Sequence, residues 1–223
     1  MSLDPGFARY LDHFGTTVTL GRLNRHWRKR NLVGLRHDVD HDLDVALEVA
    51  YWEHERGTKA TYFLLPAAGY WRDPRLIEKC LQLQDFGHEV ALHFNGLADW
   101  AANRTDDIGS STDQVLKQLR GAGISVHGMS SHGDSLCYAK QFINYWCFAE
   151  LRPDDPDSES SLSAEGVPDP DPDFQIAYPR SDEVVRDDGQ RFRLWSLSMK
   201  ALGLEYEATK VPVDSYFTDS GGG

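Results

Sequence analysis

The sequence predicts an α/β fold in which a parallel sheet is covered by helices. Three features predict it: apolar runs of strand length, segments with apolar residues at helical spacing, and the regular alternation of the two over residues 32–130. Strand–helix units of about 30 residues are typical of parallel sheets, either closed as a barrel or open as a doubly wound sheet. In both arrangements the functional residues lie at the carboxyl ends of the strands.

The first unit runs from an apolar strand into a group of acidic residues. A short amphipathic helix is expected upstream, over residues 7–14. Residues 32–35 predict a buried strand that continues into Arg36-His37-Asp38-Val39-Asp40. Asp42 then stands where it can cap a helix, whose apolar residues repeat with a period of 3.6 and which ends near Gly57.

Two more units follow, and a fourth strand completes the pattern. β-Branched and aromatic runs bounded by Pro or Gly indicate the strands, and apolar residues on one side of a 3.6-residue period indicate the helices. The expected spans are 60–65, 88–93 and 124–130 for the strands and 74–86 and 112–121 for the helices.

The pattern changes beyond residue 150. Residues 153–173 contain no Lys or Arg and are rich in Asp, Glu, Pro and Ser, which predicts an exposed acidic insertion. Residues 192–202 have helix-like apolar spacing, and residues 206–213 predict a final strand. Because no helix follows that strand, we expect the fold to be incomplete at its C-terminus. The length fits one domain over residues 1–223.

The amino-acid composition limits the classes of binding partner and the location that we expect. The net charge of -12 and a pI near 5.1 argue against nucleic-acid and anionic-membrane partners. The single basic cluster, residues 22–30, is expected to be a solvated surface. The three cysteines lack paired spacing, which predicts reduced, structural thiols. With no apolar run of about 18 residues and no signal-peptide pattern, we expect a soluble cytoplasmic protein, and its oligomeric state stays open.

Four side chains that can bind a metal follow the predicted strands. Asp38 and Asp40 end the first strand, His93 ends the third, and His132 follows the fourth. Carboxylate and imidazole ligands suit a divalent cation, and a catalytic zinc site uses three protein ligands with one position left for water. One aspartate is expected to bind the metal while the other accepts a proton from water.

The acidic run has two other interpretations, a calcium-binding loop and a phosphatase site. Alternating aspartates suggest a calcium loop, but Leu43 and Val49 stand where an EF-hand needs Gly and Glu. A D-x-D phosphatase, with Asp38 as nucleophile and Asp40 as acid, fits a strand end, although no later segment clearly supplies the rest of its site. Asp42 is better explained as a helix cap than as a ligand.

Three motifs together resemble the polysaccharide deacetylase superfamily. They are L-R-H-D-V-D-H-D at residues 35–42, K-A-T-Y-F-L at 59–64 and G-H-E-V-A-L-H at 87–93, in the family's order and spacing. Segments 203–208 and 216–220 resemble a deacetylase-like subgroup more weakly. The resemblance implies a distorted (β/α) barrel and a hydrolase that removes an acyl group from an acylated carbohydrate or a small amide. It also implies a divalent metal cofactor, zinc first and cobalt or another ion as alternatives.

The resemblance implies a role for each site residue that matches a position of the family's motifs. Asp38 matches the family's catalytic base and Asp40 its metal-binding aspartate. The two are commonly adjacent, so in this D-x-D variant the assignment can be reversed. His93 matches the first histidine of an H-x-x-x-H metal pair, but Leu97 stands at the second position. We therefore expect His132 to supply the third ligand.

Some features keep other functions open. The family's late histidine, a general acid, is missing because no histidine follows His132. A binding module that has lost turnover is therefore an alternative, and the D-x-D phosphatase is another. His37 and His41 either orient the aspartates or line the mouth of the pocket. Arg36 either lowers the pKa of Asp38 or points outward.

Overall fold

The structure is a computed structural model that describes residue 9 and residues 11–28, 31–154 and 176–215. The strands are β1 Thr16–Val18, β2 Leu32–Gly34, β3 Arg36–Val39, β4 Thr61–Leu64, β5 Glu89–Phe94, β6 Gly128–Ser131, β7 Glu183–Val185, β8 Arg191–Arg193 and β9 Tyr206–Glu207. The α-helices are α1 Leu20–His26, α2 Leu43–Glu55, α3 Leu76–Asp85, α4 Gly96–Ala101, α5 Ile108–Gly121 and α6 Ser135–Lys140.

The main sheet is parallel throughout. Its strand order is β3-β4-β5-β6-β9, and every neighbouring pair is parallel. The order follows the chain without reversal, so each crossover returns to the strand next to the one it left. The predicted α/β class with a parallel sheet is thereby confirmed. Two smaller pairs accompany it: β1 lies parallel to β2, and β7 and β8 form an antiparallel hairpin.

Alternating residues of the strands divide the core between the two faces of the sheet. Tyr62 and Leu92 belong to the larger apolar cluster, which includes the buried sides of α2 and α3. Phe63 and Ala91 belong to a smaller cluster on the other face, where Leu20 of α1 packs. All of these side chains are almost completely buried, so both faces of the central strands are covered, as parallel sheets require.

Helix α1 is fixed to the smaller face by hydrogen bonds as well as by packing. The Leu20 amide donates to Oγ1 of Thr61 at 2.8 Å, and the Gly21 amide donates to Oε2 of Glu89 at 2.8 Å. These two amides belong to the first turn of the helix, where no intrahelical acceptor is available. Polar side chains of β4 and β5 therefore accept the hydrogen bonds of the first amides of α1.

The sheet is strongly curved toward this smaller face. Strands β3 and β6 are separated by two intervening strands, which places them about 14 Å apart in a flat sheet. Arg36 on β3 nevertheless donates from Nη2 to Oγ of Ser130 on β6 at 2.5 Å. One arginine side chain does not bridge that separation, so the sheet must curl. The curvature brings the ends of the first and fourth strands of the sheet close together.

The helix predicted over residues 192–202 is wrong. Strand β8 occupies its start, and only Lys200–Leu202 form a 3-10 turn. The amide of Leu194 donates to the carbonyl of Asp182 at 2.8 Å, and the amide of Trp195 to that of Trp146 at 2.7 Å. Hydrogen bonds to distant carbonyls thus replace the helical ones. The apolar residues are buried by tertiary packing, which helix-like spacing alone does not distinguish.

Several boundaries also differ from the expected ones. The strand expected over 206–213 is only β9, followed by a 3-10 turn at Ala208–Lys210. The fourth strand begins at residue 128 and not at 124, and α5 begins four residues before the expected 112 because Asp107 caps it. Helix α4 was not predicted. Residues 9, 11 and 12 of the helix expected over 7–14 are helical, whereas residues 7, 8 and 10 and most of the segment 153–173 lie outside the described residues.

Two compositional expectations can be compared with the structure. Cys80, Cys137 and Cys147 are all free and buried, as expected of structural thiols. In the part of the chain that the structure describes, no helix is long and apolar enough to cross a membrane.

Gly128 provides a test of the close packing between β6 and β9. A Cβ atom added there would overlap the ring of Tyr206, whereas one added at Gly121, the last residue of α5, meets nothing within 4 Å. We expect Gly128→Ala to lower the free energy of unfolding by about 1–3 kcal/mol. The matched control Gly121→Ala should raise it by about 0.4–1 kcal/mol. Urea titrations measure both; equal effects of the two variants would contradict the described packing.

Candidate metal centre

The ends of three strands of the main sheet bring the candidate site together. Asp40 follows β3 directly, His93 lies on β5, and His132 follows β6 directly. The amide of His132 donates to the carbonyl of Phe94 at 2.9 Å, which continues the pairing of β6 with β5 beyond the strand end. On the other side, Asp42 accepts hydrogen bonds from the first amides of α2, so the chain turns into this helix directly after Asp40.

Three ligand atoms converge in this arrangement. Nε2 of His93 lies 3.2 Å from Oδ1 of Asp40 and 3.1 Å from Nδ1 of His132. Nδ1 of His132 lies 3.4 Å from the same carboxylate oxygen. The structure thus brings together the three residues that the sequence predicts as metal ligands, including His132, as a group that could hold an ion.

The spacing of these atoms matches a tetrahedral site. Nitrogen and oxygen ligands about 2.0–2.1 Å from a tetrahedral zinc ion lie about 3.3 Å from one another. The three observed separations, 3.1, 3.2 and 3.4 Å, are close to that value. Three ligand atoms occupy three corners of such a tetrahedron, which leaves the fourth corner for water or substrate.

The hydrogen bonding of the ligands also fits a cation. Oδ1 of Asp40 is buried and has no aligned hydrogen bond among the described residues. Nδ1 of His93 lies 3.1 Å from the carbonyl of Ser130, so this nitrogen donates its proton there and Nε2 presents a lone pair to the site. A divalent cation would satisfy both the buried oxygen and this lone pair. The donor set of one carboxylate and two imidazoles suits zinc and similar ions.

The charges within the group influence one another. The close approach of His132, and then of His93, holds the pKa of Asp40 well below its usual range. The contact with Asp40 in turn raises the pKa of His132. Asp40 is therefore an anion at neutral pH, as a metal ligand must be.

Asp38 lies beside the group but outside it. Its Oδ2 is 3.7 Å from Nε2 of His93, and its side chain is about one quarter exposed. Arg36 binds both of its oxygens, with Nε 2.9 Å from Oδ1 and Nη2 2.5 Å from Oδ2. Of the two placements predicted for Arg36, the structure has the one that points toward Asp38. This pair keeps the carboxylate aligned next to the three ligand atoms.

The two histidines that flank the aspartates do not orient them by contact with their carboxylates. Nε2 of His37 lies 2.7 Å from Oε1 of Glu53 on α2, while His41 is exposed. Both rings line a shallow cavity together with Asp38 and Asp40. Their position agrees with the second interpretation in the sequence, the mouth of a pocket.

The remaining aspartates of the acidic run have structural roles. Asp42 caps α2, with its Oδ1 2.9 Å from the amide nitrogen of Asp44. Asp44 in turn lies 2.7 Å from Nζ of Lys79. Neither side chain belongs to the convergent group, so the structure gives no support to a calcium loop.

Leu97 lies in the core and not in the convergent group. It stands in the position of the second histidine in the H-x-x-x-H pattern, and in α4 it is completely buried in the core. An imidazole would be out of place among these apolar neighbours. His132, about 22% exposed, supplies the nitrogen from the end of β6 instead.

Sequence reasoning missed two buried polar residues that support the site. Asn144 donates from Nδ2 to the carbonyl of His132 at 2.8 Å and to Oδ1 of Asn95 at 3.1 Å. Glu207 accepts from the amide of Ser131 at 3.2 Å, and burial raises its pKa. A single asparagine within the apolar run 142–148 was a signal for the first, whereas the contact of Glu207 depends on the pairing of β6 with β9.

Comparison with known proteins gives no match: no family model, no curated protein and no solved structure is similar enough to the chain to assign it to a family. The resemblance noted in the sequence therefore depends on the sequence motifs alone.

Metal binding provides a direct test of the three ligands. We expect the protein to bind one Zn²⁺ per chain, and Asp40→Asn and His132→Ala each to weaken binding by at least about 100-fold, since loss of groups that only orient ligands typically costs 10–100-fold. His127→Ala is the matched control, because His127 is half exposed and lies near Glu205, away from the three ligands. Isothermal titration calorimetry measures all four proteins. Unchanged affinity in His132→Ala would exclude it as a ligand.

Proposed function

We propose that the protein is a metal-dependent hydrolase that removes an acyl group, such as acetyl, from an N- or O-acylated carbohydrate or a related small amide. The observation that carries this proposal is the tetrahedral spacing of Asp40, His93 and His132 with an aligned carboxylate, Asp38, beside them. Hydrolysis of an acyl group needs an electrophilic centre and a base within reach of the same water. This site offers a place for each.

The position of each group indicates its role in the reaction. When bound, a divalent cation supplies Lewis acidity, which polarises an acyl carbonyl and makes water more acidic. Asp38 accepts the proton of that water, because its carboxylate is next to the three ligands but is not one of them. Arg36 holds Asp38 in one orientation through two hydrogen bonds. Ser130 fixes the ring of His93 through its carbonyl.

The architecture supports the same family of hydrolases. The strand order follows the chain order, and the sheet curves until its first and fourth strands are in side-chain contact. Both features are typical of a (β/α) barrel, in which consecutive parallel strands curl around a common axis. We propose a distorted barrel of the polysaccharide deacetylase type, with the site at the carboxyl ends of its strands. The substrates that we propose are acylated carbohydrates or small amides, and the net charge of -12 argues against nucleic-acid and anionic-membrane partners.

The two alternative functions have less support. A degenerate binding module was suggested by Leu97 and by the absence of a late histidine. His132 answers the first point, because it offers a third ligand atom at a suitable distance. A D-x-D phosphatase needs Asp38 as a nucleophile with an available oxygen. In the structure, Arg36 engages both oxygens of Asp38, which suits an oriented base better than an attacking group.

Asp38→Asn tests the role of the base. The variant keeps the shape of the side chain and removes its ability to accept a proton, so we expect zinc binding to persist while acetate release falls about 10²–10⁴-fold. Asp44→Asn is the matched control, because Asp44 belongs to the same acidic run but has an exposed side chain that pairs with Lys79 and lies outside the convergent group. Acetate released from N-acetylglucosamine oligomers by the zinc-loaded protein is the measurement.

Two results would contradict the proposal. If Asp38→Asn hydrolyses the oligomers at the wild-type rate, Asp38 is not the base. If the wild-type protein releases phosphate from a phosphomonoester with Mg²⁺ but no acetate from any acylated sugar, the phosphatase alternative replaces the hydrolase.

A further inference from the structure

A second group of titratable side chains lies behind β3, on the side of α2. Its centre is Glu53, whose side chain is completely buried. Oη of Tyr62 donates to Oε2 of Glu53 at 2.7 Å, and Nε2 of His37 lies 2.7 Å from Oε1. The rings of His37 and Tyr62 also contact each other, with centroids 4.7 Å apart. A buried carboxylate thus has one phenol and one imidazole as hydrogen-bonding partners.

His88 is near this group but does not exchange protons with it. Its Nδ1 accepts from the amide of Ala60 at 3.2 Å, and its Nε2 donates to the carbonyl of Ala50 at 2.9 Å. Both ring nitrogens are therefore committed to the backbone in the neutral form. Burial lowers the pKa of His88, in agreement with this assignment. Nδ1 of His88 is 3.7 Å from Oε2 of Glu53, so the hydrogen bond of Glu53 with a histidine is the one with His37.

Glu53 fixes the orientation of the His37 ring. A carboxylate removed from water is costly unless it has hydrogen-bonding partners. Tyr62 is the partner of one oxygen of Glu53, and Nε2 of His37 is the partner of the other. The buried carboxylate therefore holds the imidazole of His37 in one place.

His37 connects this buried pair to the candidate site. It precedes Asp38 on β3, the first strand of the main sheet, and no further strand pairs with its free side among the described residues. Adjacent residues of a strand point to opposite faces, but at an open edge both can reach the same space. His37, Tyr62, Asp38 and Asp40 all line one cavity around this edge. The side chain of His37 is 29% exposed, whereas that of Glu53 is not exposed at all.

We propose that His37, held by Glu53, is the general acid of the hydrolase and protonates the leaving group. This inference rests on the proposed function. In the reaction, water adds its oxygen to the acyl carbon and gives a proton to Asp38. The carbon–nitrogen bond then breaks, its electron pair stays on the nitrogen, and that nitrogen takes a proton from His37. The products are the amine and acetic acid, which ionises to acetate. Asp38 releases its proton to solvent, and His37 regains one from it. The missing late histidine of the deacetylase pattern is thereby replaced from β3.

The dependence of the rate on the leaving group tests this role. An amine leaves only with a proton, whereas 4-nitrophenolate leaves without one. We expect His37→Gln and His37→Ala to slow acetate release from N-acetylglucosamine oligomers about 10²–10⁴-fold, and to change the hydrolysis of 4-nitrophenyl acetate by less than about threefold. Glutamine keeps a hydrogen-bond donor for Glu53 but has no proton to transfer, so it separates catalysis from packing.

The controls make each outcome informative. His54→Gln changes a largely exposed histidine next to Glu53 on α2, outside the cavity, and should leave both rates unchanged. Thermal unfolding and zinc stoichiometry of each variant check the fold and the metal site. Equal losses with both substrates, or no loss with either, would overturn the role of His37 while the proposed function stands. If the wild-type protein hydrolyses neither substrate, the proposed function itself fails and the role of His37 fails with it.

Discussion

The contact between Arg36 and Ser130 joins strands that a flat sheet would hold far apart. It requires the main sheet to curl, and the curl sets the distance between the loop after β3 and the loop after β6. Ser130 takes part twice, because its hydroxyl accepts from Arg36 while its carbonyl fixes the ring of His93. The orientation of the carboxylate of Asp38 and that of the imidazole of His93 therefore depend on the same residue of β6.

The electrostatics of the site follow from this geometry. Two imidazole nitrogens and one carboxylate oxygen lie within 3.1–3.4 Å of one another. Oδ1 of Asp40 lies close to the two imidazoles but has no aligned hydrogen bond among the described residues, and a buried polar atom without one typically costs about 1–3 kcal/mol. A cation would offset this cost, and the separations are those of tetrahedral ligands. The fold thus forms a site in which the protein groups do not fully satisfy one another's hydrogen-bonding capacity.

The parts of this account that local sequence determines could be predicted, and the parts that depend on distant contacts could not. The cap at Asp42 and the first three strand–helix units follow from short-range spacing, and the structure confirms them. The family pattern has a metal-binding histidine at the position of Leu97. The use of His132 in its place could be predicted, because His132 follows a predicted strand end. Helix α4 was missed because it is only six residues long and begins three residues after His93. The pairing of His37 with Glu53 joins a strand to a helix and has no signature in sequence spacing.

The central claim is that Asp40, His93 and His132 hold one divalent cation. A crystal structure of the zinc-loaded protein, with the ion located by its anomalous scattering, tests this claim most directly. We expect zinc within about 2.0–2.2 Å of the Asp40 carboxylate, Nε2 of His93 and Nδ1 of His132. An ion bound elsewhere, or an ion more than about 4 Å from Nδ1 of His132, would contradict this claim, since a ligand lies roughly 2 Å from its metal.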